Sequence, residues 1–217
     1  MFRDRREAGR LLLAEVRGLN LEKPVVLGVP RGGVVVAAEV SRGLGAPLDV
    51  IIPRKIGAPF NPELAIGAVA QDGSIILDES LVAALHVGEA YIASKAREET
   101  REIDRRLRVF RGGRPALDLE GMDVVVVDDG VATGLTITAA LRSIQNRSPS
   151  RLVLAIPVAP QDAVRRLGEE VDDLVCLGTP EPFSAVGQWY LNFEQVEDEE
   201  VIALLEESWR GRSPWDT

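Results

Sequence analysis

Two adjacent carboxylates, Asp128 and Asp129, follow four valines in the stretch VVVVDDGVATGLT. The valines have the composition of a buried strand, which would deliver both carboxylates to the edge of a sheet. The small and hydroxyl-bearing residues from Gly130 to Thr136 lead into a predicted helix, whose first backbone N–H groups suit a phosphate. Carboxylates repel phosphate but accept hydrogen bonds from sugar hydroxyls. The pattern therefore indicates a pocket for a ribose 5-phosphate with free 2- and 3-hydroxyls.

The same stretch also has a purely structural interpretation, because Asp after a strand commonly forms a turn or caps a helix. It is not a Walker loop, since the chain has no G-x-x-x-x-G-K-[ST] sequence. A second unusual loop, GVPRGG, follows an earlier apolar run, and there Gly and Pro commonly mean a tight turn. Arg54 and Lys55, in PRKIG, are either the solvated end of a strand or cations that face a ligand.

The elements that position these loops alternate along the chain. Apolar runs predict strands, and the segments between them predict helices, with a hairpin turn at Gln71 to Gly73. The predicted strands are KPVVLGVP, LDVIIPRKIG, DVVVVDD, RLVLAIPVAP and DLVCLG. Near-continuous Val, Ile and Leu is typical of a parallel sheet covered by helices on both faces. Since ligands of such sheets bind beyond the carboxyl ends of the strands, both unusual loops are expected at the binding edge.

Composition limits the class of protein. The 217 residues suggest a single domain over residues 1–217, and the 46% of hydrophobic residues can fill its core. No apolar run is long enough to span a membrane and no signal peptide is recognised, so we expect a cytoplasmic protein. The net charge of −9 argues against binding to nucleic acid or to an anionic membrane. One cysteine, Cys176, excludes an intramolecular disulfide and is expected to be an inert core thiol. The single histidine, His86, is expected to have a surface or structural role and not to bind a metal or belong to a catalytic triad.

The stretch VVVVDDGVATGLT closely resembles the phosphoribosyl pyrophosphate (PRPP) signature of type I phosphoribosyltransferases. That signature has four apolar residues, two acidic residues, two mostly apolar residues and a small-Thr-Gly-x-Thr loop. The order of the elements is also similar, and the opening FRDRREAGR resembles a bacterial subgroup of predicted phosphoribosyltransferases. The resemblance implies the type I phosphoribosyltransferase fold, an α/β fold with a parallel central sheet and helices on both faces. It also implies a C-terminal hood and tail at about 179–217 and a lid-like helical insertion at about 79–113.

The resemblance further implies roles for individual residues. Asp128 and Asp129 would be the catalytic carboxylates, placed on the ribose hydroxyls. The implied PRPP contacts are the 5-phosphate loop Ala132, Thr133, Gly134, Leu135 and Thr136, the diphosphate loop Arg31, Gly32 and Gly33, and the cations Arg54 and Lys55. In the family, an unusual peptide exposes the N–H groups of the diphosphate loop. A Mg²⁺ ion would be held mainly by substrate oxygens, with Asp128 and Asp129 outside its direct coordination.

Two regions leave alternatives open. The insertion predicts an arginine-bearing helix face at Arg97, Arg101, Arg105 and Arg108. This face is either solvated and salt-bridged or part of a lid over the diphosphate, whose residues cannot be assigned. The aromatic segment EPFSAVGQWYLNFEQV resembles the F-x-x-V-G hood of purine phosphoribosyltransferases and offers Phe183 and Trp189 as base-binding residues. It could equally be a hydrophobic plug.

The activity implied by the resemblance is transfer of the 5-phosphoribosyl group from PRPP to a nucleobase-like acceptor, with release of pyrophosphate, in nucleotide metabolism. Enzymes acting on hypoxanthine and guanine carry Asp at the position of Ala132, so the resemblance favours adenine or a pyrimidine. A PRPP-binding or nucleotide-binding regulator and a PRPP-directed hydrolase are the alternatives. A Rossmann-type nucleotide binder is disfavoured, because GVPRGG lacks the G-x-G-x-x-G pattern. Neither the acceptor nor assembly into a homo-oligomer is specified.

Overall fold

The computed structural model describes residues 1–210, so the last residues of the predicted tail, 211–217, lie outside the described part. In chain order the elements are α1 (Arg5–Arg17), β1 (Pro24–Gly28), α2 (Gly32–Leu44), β2 (Leu48–Val50), β3 (Arg54–Ala58), β4 (Asn61–Val69), β5 (Ile75–Leu77), α3 (Glu79–Ala84), α4 (Glu89–Arg111), β6 (Asp123–Val127), α5 (Leu135–Gln145), β7 (Arg151–Val158), α6 (Gln161–Gly168), β8 (Asp173–Gly178) and α7 (Asp198–Trp209). A 3-10 turn, Val186–Trp189, lies between β8 and α7. None of the helices in residues 1–210 combines the length and the apolar character needed to cross a membrane.

Five strands form a parallel sheet in the order β2-β1-β6-β7-β8. β6 is buried along its whole length, and β1 and β7 are buried at all but their first residues. Successive side chains of β6 enter opposite cores, because strand side chains alternate between the two faces. Val125 and Val127 join the core that includes α2, whereas Val124 and Val126 join the core that includes α5. Helices therefore cover both faces, which confirms the predicted fold class.

The prediction of LDVIIPRKIG as one strand is wrong. β2 ends at Val50 and β3 begins at Arg54, on the far side of Pro53. Proline has no N–H to donate to a strand ladder, so it favours a break at this point. β3 instead joins β4 and β5 in a separate antiparallel sheet of order β3-β4-β5. Arg54 and Lys55 thus begin an antiparallel strand and do not end a parallel one.

The hairpin predicted at Gln71 to Gly73 is confirmed, and it connects β4 to β5. Gly73 has a φ of +83°, a conformation that favours glycine, and its N–H donates to the carbonyl of Ala70 at 3.0 Å. The carboxylate of Asp72 accepts hydrogen bonds from the N–H and the hydroxyl of Ser74 at 3.0 and 2.6 Å. The turn is therefore closed by both backbone and side-chain bonds.

Helix α4, of 23 residues, occupies most of the insertion predicted at 79–113. Its inner face buries Ile103 and Phe110 in the main core, and the four arginines of the predicted face are exposed. Glu102 pairs with Arg105 at 2.7 Å and with Arg106 at 2.9 Å, and these hydrogen bonds lower the pKa of Glu102 to about 2. The outer face is thus salt-bridged and solvated, and a role of this insertion as a lid stays a prediction.

Candidate active site

The binding edge of the sheet is defined by its topology. β1 and β6 are neighbours, but the chain extends from β1 to β2 on one side and from β6 to β7 on the other. The strand order reverses between them, and such a switch point is where open α/β sheets bind ligands. The N–H of Val29, in the loop after β1, donates to the carbonyl of Val127 at 2.9 Å. The GVPRGG and DDGVATG loops therefore leave the sheet side by side.

Glycines bring the PRGG loop against the two carboxylates. A Cβ atom added at Gly32 would lie 1.9 Å from Oδ2 of Asp129, and one added at Gly33 would lie 2.8 Å from Cα of Asp128. No side chain fits at these separations, so the close approach of the two loops requires glycine at both positions. The structure thus brings together four of the residues that the sequence placed at this edge.

Asp128 and Asp129 are half-buried and adjacent. Oδ1 of Asp128 accepts a hydrogen bond from the N–H of Asp129 at 2.8 Å. Burial, and next the charge of Asp129, raise the pKa of Asp128 well above its usual value. Burial also raises the pKa of Asp129, and the charge and hydrogen bond of Arg5 oppose that rise. Because the pair is partly withdrawn from water, its interactions with a hydroxyl group or a cation are stronger than they would be on an open surface.

Arg5, the first residue of α1, also lies in this site, and the sequence did not predict it there. Its Nε donates to Oδ2 of Asp129 at 2.7 Å, and its Nη1 donates to the carbonyl of Glu194 at 2.8 Å. Its Cζ lies 3.8 Å from the ring centroid of Phe193. Arg5 and Asp129 are 124 residues apart in the chain, so no local pattern connects them. The available signal was the FRDRREAGR opening, which pointed to a subgroup but to no role for this arginine.

The loop after the carboxylates ends at the N-terminus of α5. Gly134 precedes α5 with a φ of +81°, and no side chain within residues 1–210 caps the first turn of the helix. Ala132 and Thr133 are exposed, so this terminus borders open surface. Arg166 donates from Nη2 to the carbonyl of Thr133 at 3.0 Å, which fixes the loop to α6. An uncapped helix N-terminus next to small residues has the chemistry of an anion site.

An aromatic segment covers the site from the C-terminal side. The hydroxyl of Tyr190 donates to the carbonyl of Asp129 at 2.6 Å. The ring of Tyr190 packs against Phe2 and Phe193, with ring centroids 5.4 and 5.0 Å away. Tyr190 belongs to the aromatic segment EPFSAVGQWYLNFEQV, but the sequence did not predict this contact. Tyr190 therefore attaches the segment to the main chain of the binding edge.

Phe183 and Trp189, the predicted base-binding residues, stack on each other with centroids 6.3 Å apart and ring planes at 24°. Beside Trp189, a mainly apolar cavity of about 370 Å³ reaches the carboxyl ends of β7 and β8 at Val158 and Gly178. Nε1 of Trp189 is buried without a hydrogen-bond partner among the described residues. The mainly apolar lining of this cavity suits the flat face of a ligand.

A family model described as the phosphoribosyl transferase domain matches residues 5–178. The chain belongs to the phosphoribosyl transferase family. Two curated proteins from two strains of Mycobacterium tuberculosis, provisionally named phosphoribosyl transferases, are each 45% identical over 210 residues. The match covers 97% of this chain and 47% of each relative, so the chain spans about half the length of the curated relatives it matches. The crystal structure of TT1426 from Thermus thermophilus is 46% identical, with a TM-score of 0.81, and the match covers 95% of this chain and 98% of that one.

Arg31 opens the loop that contacts the carboxylates, and the Pro30–Arg31 peptide bond is cis. The side chain of Arg31 points to the start of α7. Its Nη1 lies 3.7 Å from Oε2 of Glu197 and 3.6 Å from Oδ1 of Asp198. These contacts are long and partly exposed, so they oppose the binding of a competing anion only weakly.

The other two predicted cations, Arg54 and Lys55, lie on the antiparallel sheet and are paired with acids. Nε of Arg54 contacts Glu99 of α4 at 2.7 Å, and Nζ of Lys55 contacts Glu63 of β4 at 2.7 Å. The predicted placement at the carboxyl end of a parallel strand is therefore wrong, because β3 is a separate strand. Contact of Arg54 and Lys55 with a diphosphate stays a prediction.

Metal-ligand chemistry at the candidate site is limited to a few oxygens. Within residues 1–210, no group of three or more His, Cys, Asp or Glu side chains is placed to hold a metal ion. Asp128 and Asp129 are adjacent, and one oxygen of Asp129 is bonded to Arg5. This donor set fits a Mg²⁺ ion whose ligands come mainly from substrate oxygens. His86 is exposed in the turn after α3, and Cys176 is half-buried in β8, where burial raises the pKa of its thiol.

Proposed function

We propose that this chain is a PRPP-dependent phosphoribosyltransferase, which transfers the 5-phosphoribosyl group to a nucleobase-like acceptor and releases pyrophosphate. The observation that carries the proposal is the contact between the Gly32–Gly33 loop and the Asp128–Asp129 pair at the switch point of the sheet. Membership of the phosphoribosyl transferase family supports the class of reaction. Backbone donors for phosphates and carboxylate acceptors for sugar hydroxyls lie together at this edge, as PRPP requires.

Each part of PRPP has protein groups of matching chemistry. The first turn of α5, with the hydroxyls of Thr133 and Thr136, would bind the 5-phosphate. Asp128 and Asp129 would accept hydrogen bonds from the ribose hydroxyls, and their charge would stabilise the positive charge that develops at C1. The backbone N–H groups of the PRGG loop would face the diphosphate. Arg31 would join them after leaving its two acidic partners on α7.

In the proposed reaction, a nitrogen atom of the acceptor forms a bond to C1 of the ribose. The bond from C1 to the diphosphate oxygen breaks, and its electron pair leaves with pyrophosphate. A Mg²⁺ ion held by substrate oxygens would supply charge neutralisation for the leaving group. The residues of the chain would orient PRPP and stabilise the positive charge at C1. They would also exclude water from C1, because water can attack PRPP at that atom.

The acceptor must lose the proton of its attacking nitrogen. Ala132 cannot take this proton, which would pass instead to the departing pyrophosphate or to water. A methyl group performs no general base catalysis, which typically contributes about 10²–10⁴-fold in rate. Enzymes that act on adenine, uracil or orotate carry a small residue or Thr at this position, and Ala132 resembles theirs. We therefore propose adenine or a pyrimidine as the acceptor, and we expect hypoxanthine and guanine to be poor. The apolar cavity beside Trp189 is the proposed acceptor pocket. Stacking of a base on an aromatic side chain contributes about 1–3 kcal/mol in other proteins.

The test is a screen of nucleobases with PRPP and Mg²⁺, in which pyrophosphate release is measured with and without each base. We expect release that depends on adenine or a pyrimidine and is absent in the Asp128→Asn/Asp129→Asn variant. Fast turnover of guanine or hypoxanthine would refute the interpretation of Ala132. Release that is equal without any base would favour the PRPP-directed hydrolase. Failure of PRPP to bind at all would refute the proposed function.

The proposed setting is nucleotide metabolism in the cytoplasm, with PRPP and a nucleobase-like molecule as the partners. The net charge of −9 opposes binding to nucleic acid and to anionic membrane surfaces. Fractionation of cells that produce the full protein, followed by detection of the chain in each fraction, tests this placement.

A further inference from the structure

The aromatic segment that covers the site, residues 181–196, forms the aromatic cover. The first residues of the chain pair with it. The N–H of Phe2 donates to the carbonyl of Trp189 at 2.7 Å, and the N–H of Leu191 donates to the carbonyl of Phe2 at 2.8 Å. The N–H of Asn192 donates to the carbonyl of Arg3 at 2.9 Å. The segment therefore pairs with the cover like a short strand before α1 begins. This pairing fixes the backbone position from which the side chain of Arg5 enters the site.

The guanidinium of Arg5 is largely enclosed by neighbouring groups. Besides its bonds to Asp129 and Glu194, it lies over the ring of Phe193, and a Cβ atom added at Gly32 would come within 2.6 Å of its Nε. Its side chain is only 11% exposed. An enclosed cation is unfavourable unless an opposite charge compensates it, and here that charge is Asp129.

We propose that Arg5 is a positioning residue, which fixes one oxygen of Asp129 and keeps this carboxylate ionised so that it can accept hydrogen bonds from the ribose hydroxyls. The inference rests on the proposed function and deepens it. A carboxylate has about four acceptor positions, and Nε of Arg5 uses one of them. Arg5 thus favours the ionised form of Asp129 and orients its carboxylate, while the other acceptor positions of Asp129 stay open to a diol.

The surrounding charges support this role. Asp128 faces Asp129 from the same loop, Arg5 faces it from α1 and Tyr190 from the aromatic cover, while Arg31 turns to α7. Burial raises the pKa of both carboxyls, and Arg5 is the cation that lowers the pKa of each. Without Arg5, Asp129 would therefore bind a proton at higher pH, and a protonated carboxyl accepts hydroxyl groups less well.

The first experiment is calorimetric titration with PRPP and Mg²⁺ from about pH 5.5 to about pH 8.5. For Arg5→Gln we expect affinity to fall about tenfold or more at the acidic end and to recover toward the alkaline end, since one pKa unit corresponds to a tenfold change. Arg5→Lys keeps the charge and should retain most of the affinity at acidic pH. The control is Arg6→Gln, whose side chain pairs with Glu39 and Glu200 on the outer surface and should change nothing.

The second experiment needs no substrate. Titration of aspartate carboxyl groups labelled with ¹³C, assigned with the Asp128→Asn and Asp129→Asn variants, follows each site in the folded protein. We expect Asp129 to ionise at lower pH than Asp128 in the natural sequence, and to ionise at higher pH in Arg5→Gln than in the natural sequence. If Arg5→Gln does not fold, the natural sequence alone tests the proposed role of Arg5. Ionisation of Asp129 at a pH equal to or higher than that of Asp128 would then overturn it.

The two proposals fail in different ways. Absence of PRPP binding by the natural sequence refutes the proposed function, and the carboxyl titration then decides the charge role of Arg5 by itself. PRPP binding by the natural sequence, with a loss in Arg5→Gln that is equal at every pH, overturns the inference and leaves the function standing. An Asp129 titration that is the same with and without Arg5 also overturns it.

Discussion

The hydroxyl of Tyr190 donates a hydrogen bond of 2.6 Å to the backbone carbonyl of Asp129. Tyr190 is only 6% exposed, and burial raises the pKa of its hydroxyl, so the group remains a proton donor at physiological pH. The bond connects the aromatic cover directly to the residue that would bind the ribose. The position of the main chain at Asp129 therefore depends on the position of the aromatic cover.

Tyr190→Phe should lower the free energy of unfolding by about 0.5–1.5 kcal/mol, because it removes one buried hydrogen bond. It should also weaken PRPP binding, because the main chain at Asp129 loses an attachment. Tyr91→Phe is the matched control, since the hydroxyl of Tyr91 donates to the carbonyl of Gly57 at 3.0 Å away from the carboxylates. Denaturant unfolding and calorimetry compare the two variants. An equal effect of both on PRPP affinity would contradict the link.

Gly32→Ala should destabilise the protein by about 1–3 kcal/mol and abolish PRPP binding, because the added methyl group collides with Oδ2 of Asp129 and Nε of Arg5. Gly88→Ala is the control. Among the described residues, no heavy atom lies within 4 Å of a Cβ added at Gly88, and its φ of −74° suits any residue. Unfolding midpoints and PRPP titrations measure both effects. Normal PRPP affinity in Gly32→Ala would place the ligand away from this loop.

The double variant Asp128→Asn/Asp129→Asn should lose PRPP binding in the presence of Mg²⁺ and keep its fold. The substitution preserves shape and removes the negative charge that would support the ribose and the growing charge at C1. Circular dichroism checks the fold, and calorimetric titration measures the affinity. Unchanged affinity for PRPP in a folded double variant would refute the assignment of these carboxylates to the ribose.

Asp128→Asn should make the protein without ligand more stable at neutral pH. A carboxyl whose pKa is higher in the folded than in the unfolded chain takes up a proton on folding. The favourable contribution of Asp128 to the free energy of unfolding is therefore complete at a pH below its pKa in the unfolded chain. This contribution is lost as the pH rises through its higher pKa in the folded chain. The gain from Asp128→Asn should appear at neutral pH and vanish in acid. Urea unfolding at a series of pH values measures this difference, and a gain that does not depend on pH would contradict the cause.

Arg31→Ala and Lys55→Ala should weaken PRPP binding much more than ribose 5-phosphate binding, because both residues are predicted to contact the diphosphate. Lys95→Ala is the control for loss of a lysine, since Lys95 pairs with Glu98 on the exposed side of α4. Competition titrations with the two ligands measure the ratio of the losses. Equal losses for both ligands would place Arg31 and Lys55 outside the diphosphate site.

The sequence alone determined the local features of the fold and of the candidate site. Uninterrupted valines before Asp128 specified a strand buried on both faces, because exposed strands alternate in polarity. Alternation of such runs with helices specified the parallel sheet, and the carboxyl ends of its strands specified the binding edge. The adjacency of Asp128 and Asp129 and the small residues after them were readable because those relationships are short in the chain.

Only the tertiary structure decided relationships between distant segments. Arg54 and Lys55 pair with Glu99 and Glu63, because β3 begins after a proline and belongs to the antiparallel sheet and not to the parallel one. The tertiary structure also brought Arg5 to Asp129 across 124 residues, through pairing of the chain start with the aromatic cover. Local composition carries no information about such a contact. It exists because burying two adjacent carboxylates favours a cation beside them, and the fold brings the start of α1 to that place.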